Sequence, residues 1–220
     1  TLSLHDALPI SRNTLDDVDP VSEPDDSLLR WMEREEILFR TLERHMVKER
    51  LKQGFVSENK VDVDDFIRFS LSVQNRRKSR AGHAFENHVE RLLMVHQIHY
   101  SRNPVVENKK HPDFLFPDIR AYNDKNFPEA YLSMLGVKST CKDRWRQIMS
   151  EADRIERKHL LTLEAAISVN QTEEMKAGKI QLILPEKIHG TYTQGQRKWL
   201  YSVEHFLKEV KDRQKACNWL

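Results

Sequence analysis

Cysteine is scarce in this 220-residue chain: Cys141 and Cys217 stand far apart, with no Cys-x-x-Cys partner for either. Such usage argues against a disulfide framework and points to reduced thiols in a cytoplasmic protein. The histidines His83, His88, His96, His99, His159 and His189 have no metal-type spacing with cysteine, which excludes a zinc module. Long apolar runs are missing as well; none approaches the roughly 20 residues of a membrane span. Residues 1–10 (TLSLHDALPI) have no initiator methionine, and no basic residue precedes their apolar positions, so they do not read as a signal peptide. They read as a foreign junction on a truncated N-terminus and are set aside from the fold. Internal repeats and low-complexity tracts are absent.

What the chain has in quantity is charge. Charged residues make up 32% and aromatics 8%, the composition of a soluble globular protein rather than a disordered or membrane one. The net charge of +2 conceals an asymmetry. Residues 1–36 hold ten acidic groups against Arg12, Arg30 and Arg34, a net of −7, so the remainder carries +9. A basic body permits nucleic-acid binding without requiring it.

The chain is organised around Gly136-Val137-Lys138 and the residues that follow. Tyr131, Leu132, Met134, Leu135 and Val137 are dense enough for an inner strand ending on Lys138. Thr140-x-x-Asp143 then resembles a capping box, and Trp145, Ile148, Met149, Ala152 and Ile155 recur at helical spacing, predicting a long helix. Upstream, Ser27 is expected to cap a helix running to about Lys52, with Leu28, Leu29, Met32, Ile37, Leu38, Leu42 and Met46 on its apolar side. Further helices are expected over Val63–Gln74 and His83–His96. Short strands are expected near Tyr100–Glu107, after His111-Pro112-Asp113, near Ala165–Val169 and over Ile180–Leu184. A helix near Gln171–Lys176 and a closing helix from Gln194 to Lys215 complete an α/β pattern around one central mixed sheet.

Three features carry chemistry. Asp113, flanked by Pro112 and aromatics, marks a strand start that fixes a carboxylate; Glu151 follows Lys138, and Glu86 precedes both. Such acids can hold Mg²⁺, while Lys138 can orient a water and stabilise charge on a phosphate. No acid stands two residues before this lysine, where Gly136 lies, so the spacing alone is weak. Lys142, Asp143 and Arg144 open the expected helix. Lysine and arginine donate to guanine, and aspartate accepts from the cytosine amino group, so the triplet suits adjacent G·C pairs. A solvated first turn is the commoner fate of such residues. Arg76-Arg77-Lys78-Ser79-Arg80 lies ahead of the helix expected at Ala81-Gly82 and reads equally as a solvated loop or as a phosphate contact through Arg77, Lys78 and Arg80.

These stretches together resemble a known family. Arg77-Lys78-Ser79-Arg80-Ala81-Gly82 with Phe85-Glu86, His111-Pro112-Asp113-Phe114, Lys138 through Ile148, and Glu151-Ala152-x-Arg154-Ile155 are similar to the catalytic C-terminal domain of EcoRII-type restriction endonucleases. That domain belongs to the PspGI- and SsoII-related branch of the PD-(D/E)xK nucleases. The resemblance covers about residues 76–192. It implies a restriction-endonuclease-like central sheet and Mg²⁺-dependent cleavage of double-stranded DNA by a homodimer at a CC(W/N)GG-like site. It further implies that Asp113, Lys138 and Glu151 are catalytic, with Asp113 and Glu151 on the metal and Glu86 as an accessory acid. Lys142, Asp143 and Arg144 would read the outer pairs. In this branch the second acid has left the strand for Glu151, which accounts for Gly136.

The expected organisation is a foreign or linking segment at 1–26, a helical segment at 27–75 and a catalytic domain at 76–220. A structure-specific repair or resolvase nuclease of the same fold, or a DNA-binding regulator that has lost cleavage, would be the alternatives. The Lys-Asp-Arg triplet argues against the first and the intact Asp113, Lys138 and Glu151 against the second.

Overall fold

A computed structural model describes residues 12, 14–15, 17–57, 60–141 and 144–219. Two long helices come first. Helix α1 (Pro24–Gln53) begins on a proline whose fixed φ suits the first helical position, with Asp25 and Asp26 at the positive end of the helix dipole. Ser27, expected as the cap, therefore lies one turn inside and is buried. The inward face is Leu28, Trp31, Glu35, Phe39 and Glu43. Ile37, Leu42 and Met46, read as its apolar side, are exposed. The orientation follows from Glu35 and Glu43, which turn toward arginines of the next helix.

A two-residue hairpin, β1 (Val56–Ser57) and β2 (Lys60–Val61), leads into helix α2 (Val63–Val95), whose N-cap Asp62 accepts from the Asp65 N–H at 2.8 Å. The two helices expected at 63–74 and 83–96 are thus one. The basic cluster 76–80 lies in its middle rather than before a helix start. Gly82 does not break it, because the helix surface there is open and a glycine in an open helix interior costs only about 1 kcal/mol.

Five strands form the central sheet in the order β3 (Ser101–Arg102), β4 (Phe114–Phe116), β5 (Ser133–Lys138), β6 (Lys158–Thr162), β7 (Ile180–Ile183). The β3–β4–β5 part is antiparallel and β5–β6–β7 parallel, so the sheet is mixed as expected. Strand β6 was missed, and the strand expected at 165–169 is absent. Residues 163–168 form a loop leading into helix α5 (Val169–Ala177). Between β4 and β5 lies the short helix α3 (Ile119–Asn123), and between β5 and β6 the single turn α4 (Trp145–Ile148).

Apolar side chains alternate across the sheet. Phe114, Leu135, Val137 and Leu161 face α1, α2 and the last helix, meeting Leu28, Phe85, Leu92 and Phe206. Leu115, Met134 and Leu160 face the opposite layer with Trp145, Ile148 and Met175. After short turns α6 (Glu186–His189) and α7 (Gln194–Arg197), Tyr201 bridges to Ile183 and Ser202 caps α8 (Val203–Ala216). The closing helix expected from Gln194 is therefore interrupted, because the chain first adds an extended contact to the edge of β7. Asp25 of α1 reaches into this region and accepts from the backbone N–H of Glu186, Val203 and Glu204 at 3.0, 2.8 and 2.9 Å. One carboxylate thereby satisfies the orphan donors of two helix starts. None of the described helices is long and apolar enough to cross a membrane.

Candidate active site

Asp113 sits one residue before β4, a step beyond the pairing of Phe114 with Leu135, which sets it opposite Gly136. It is 8% exposed, and its Oδ2 accepts from the Val137 N–H at 2.6 Å and from Lys138 Nζ at 2.8 Å. The strand-end lysine and the pre-strand aspartate thus meet because antiparallel pairing brings the start of β4 beside the end of β5.

Position 136 has no room for a side chain. A Cβ on Gly136 would lie 2.5 Å from Ile148 Cδ1 and 3.0 Å from Cγ1. Ile148 of α4 fills the space that a strand-borne side chain would take. Just beyond that isoleucine, Glu151 donates its N–H to the Ile148 carbonyl at 3.1 Å, and its carboxyl senses the charges of Lys138 and Asp113. Burial pushes the Glu151 carboxyl up to about 7; Lys138 opposes the shift, Asp113 adds to it, and Lys110 and Lys158 oppose it further. Asp113, Lys138 and Glu151 therefore share one electrostatic neighbourhood.

The long helix expected to carry Glu151 is not formed. Helix α4 ends after one turn, and Glu151 stands on an irregular segment with Ala152 at φ +52°. Of the periodic residues, Trp145, Ile148, Ala152 and Ile155 are buried nonetheless, since the loop lays them on the sheet, while Met149 is exposed. Arg144, just before α4, is exposed and donates its backbone N–H to Cys141 at 2.8 Å. Lys142 and Asp143 lie outside the described residues.

Glu86, on α2, pairs with Arg102 of β3 at 3.5 Å, and Arg102 also binds Glu90 at 2.5 Å. The basic cluster loses the helix-terminus argument made for it. Arg80 is buried, pairs with Glu35 at 2.6 Å and with Glu36, and lies 4.0 Å from the Phe39 ring centre. Arg77 pairs with Glu43 at 2.5 Å, and Lys78 is exposed. Two lysines that act on the site escaped the sequence reading, Lys110 in the loop before Asp113 and Lys158 at the start of β6. Nothing in their local sequence marks them; they are found only through the fold.

No group of three or more His, Cys, Asp and Glu side chains is gathered as a metal cluster among the described residues. Two carboxylates, Asp113 and Glu151, share one electrostatic neighbourhood with Lys138. That donor set fits Mg²⁺, which retains several waters and takes only one or two protein carboxylates.

Comparison with known proteins agrees with this geometry. The family described as EcoRII C terminal matches residues 39–207. The type II restriction enzyme EcoRII of Escherichia coli is 41% identical over 189 residues, covering 86% of this chain and 46% of that enzyme. The chain thus spans about half the length of this curated relative. Among solved structures, metal-depleted Ecl18kI in complex with uncleaved, modified DNA superimposes with a TM-score of 0.81 at 17% identity, covering 99% of this chain and 80% of the other. The PspGI–substrate DNA complex gives 0.78 at 14% identity, covering 98% and 94%. At those identities the likeness shows the fold.

Proposed function

Because the chain belongs to the EcoRII C-terminal family, we propose that it is the catalytic unit of a type II restriction endonuclease, hydrolysing both strands of duplex DNA at a short CC(W/N)GG-like site. The observation that carries the reading is the 2.8 Å contact between Lys138 and Asp113, with the half-buried Glu151 near enough for both to act on its charge. The DNA named in the two solved complexes supports the same substrate class.

Asp113 and Glu151 would hold Mg²⁺, which supplies Lewis-acid polarisation of the phosphate when bound. Asp113 keeps the Lys138 ammonium at the strand end, where it orients the attacking water and balances charge gathering on the phosphate oxygens. The water oxygen bonds to phosphorus and gives up a proton to solvent, one P–O bond of the backbone breaks, and the departing oxygen takes a proton from solvent. Lys142, Asp143 and Arg144 contact base edges, the cations donating to guanine and the carboxylate accepting from cytosine. A two-fold homodimer meets the need for two centres on two antiparallel strands.

Incubation of the protein with plasmid and Mg²⁺, followed by sequencing of the fragment ends, tests the reading. Discrete fragments sharing one terminal sequence are expected. Smearing, or cutting confined to branched junctions, would refute site-specific cleavage and favour a structure-specific nuclease.

A further inference from the structure

We propose that Lys158 is a positioning residue for Glu151: its buried ammonium fastens the irregular segment that delivers this carboxylate. The inference rests on the nuclease reading above. A carboxylate borne on a helix is held by the helix, but Glu151 has no such support, because α4 stops at Ile148. The next residue, Ala152, adopts φ +52°. A residue with a Cβ stays in that left-handed conformation only where its surroundings enforce it.

Lys158 is what encloses this turn. Its Nζ donates to the Ala152 carbonyl at 3.0 Å and to the Ile155 carbonyl at 2.7 Å, and the Ile155 N–H closes back on the Ala152 carbonyl at 2.9 Å. The side chain is 6% exposed and starts from the first residue of β6, paired with Ile180, so its anchor is the sheet itself. On the far side Arg154 clamps the same segment to the loop after α3, donating to the Asp124 and Phe127 carbonyls at 3.0 and 2.9 Å.

Burying an ammonium against two neutral carbonyls is costly, and burial does lower the Lys158 pKa; Asp153, Glu151 and Glu107 oppose that shift. The ammonium carries three donors, so one side chain ties both carbonyls of the turn at once and orients the carboxylate that precedes them.

The test compares wild type, Lys158→Met and Lys158→Arg in the full chain, with cooperative melting as the check on folding. Mn²⁺ alone is titrated and free ion followed by electron paramagnetic resonance; duplex binding is measured in chelator. Lys158→Met should weaken Mn²⁺ binding about tenfold, the lower end for loss of a supporting partner. It should raise the Mg²⁺ needed for half-maximal cleavage by a similar factor and leave duplex affinity in chelator unchanged. Lys158→Arg should recover part of the loss. A folded Lys158→Met with wild-type Mn²⁺ binding would overturn the proposal. Should Lys158→Met not fold, Lys158→Gln, which keeps an amide donor but no charge, decides by the same measurement. A wild-type chain that neither binds Mn²⁺ nor cuts DNA would remove the nuclease reading itself, a result distinct from failure of the Lys158 variants.

Discussion

Glu151, the proposed metal ligand, is held at a thermodynamic disadvantage. Its folded carboxyl titrates near 7 against an ordinary value of 4.5, so in the absence of metal the native state loses stability as pH rises through that window. Glu151→Gln should therefore melt higher than wild type at pH 8 in chelator while losing cleavage, and calorimetry with a parallel digest checks both. Gly136→Ala should do the opposite, destabilising the fold through the Ile148 clash by about 1–3 kcal/mol. Arg144→Ala should cost about 1–3 kcal/mol of discrimination at one G·C pair. An equal loss of affinity for every sequence would make Arg144 a phosphate contact. At this scale the sequence was informative where chemistry restricts choice. An aspartate between Pro112 and Phe114 and a lysine ending an apolar run are visible in one dimension. Lys110 and Lys158 are not, because only β6 and the loop before β4 bring them to the carboxylates.

Among the elements, β4, β5 and β7 were legible from runs of apolar residues, each bounded by a turn. Strand β6 was hidden because it opens on Lys158 and His159, two polar side chains buried through specific partners: the Ala152 and Ile155 carbonyls for one, the Met134 carbonyl at 3.2 Å for the other. The residues ahead of it imitated a helix because a loop packed on a sheet can also bury every third or fourth side chain. The α1–α2 hairpin was misread for a related reason. Its inner face is built on ion pairs, so hydrophobicity pointed to the exposed Ile37, Leu42 and Met46. Arg80→Ala should leave Glu35, 3% exposed, without its cation and cost about 3–5 kcal/mol in chemical denaturation. The double variant Glu35→Leu with Arg80→Leu should lie much nearer to wild type, since it removes both charges at once.

For the molecule as a whole, the sheet is joined to α8 through one acid. Glu209 pairs with Arg157 at 2.7 Å and Arg213 at 2.6 Å and lies 3.7 Å from His159, while Arg213 also donates to the Leu132 carbonyl at 3.1 Å. Burial works against ionisation of Glu209, but the nearby His159 and the two arginines bound to it hold its carboxyl at about 2. A depressed folded value contributes stability above the ordinary 4.5 and loses it as pH falls toward 2. Glu209→Gln should thus melt below wild type at pH 6, with the difference shrinking steadily between pH 4.5 and 2.5. Asp25 joins α1 to α6 and α8 in a comparable way, and Asp25→Ala should lower stability by about 2 kcal/mol without altering the metal dependence of cleavage.

The fit of Ile148 over Gly136 also bears on how such a site could change by single substitutions. An acid introduced at 136 meets a filled space, and a smaller residue introduced at 148 opens a void with no acid to occupy it. Each intermediate is worse than either endpoint, so the two placements of the carboxylate are separated by a valley.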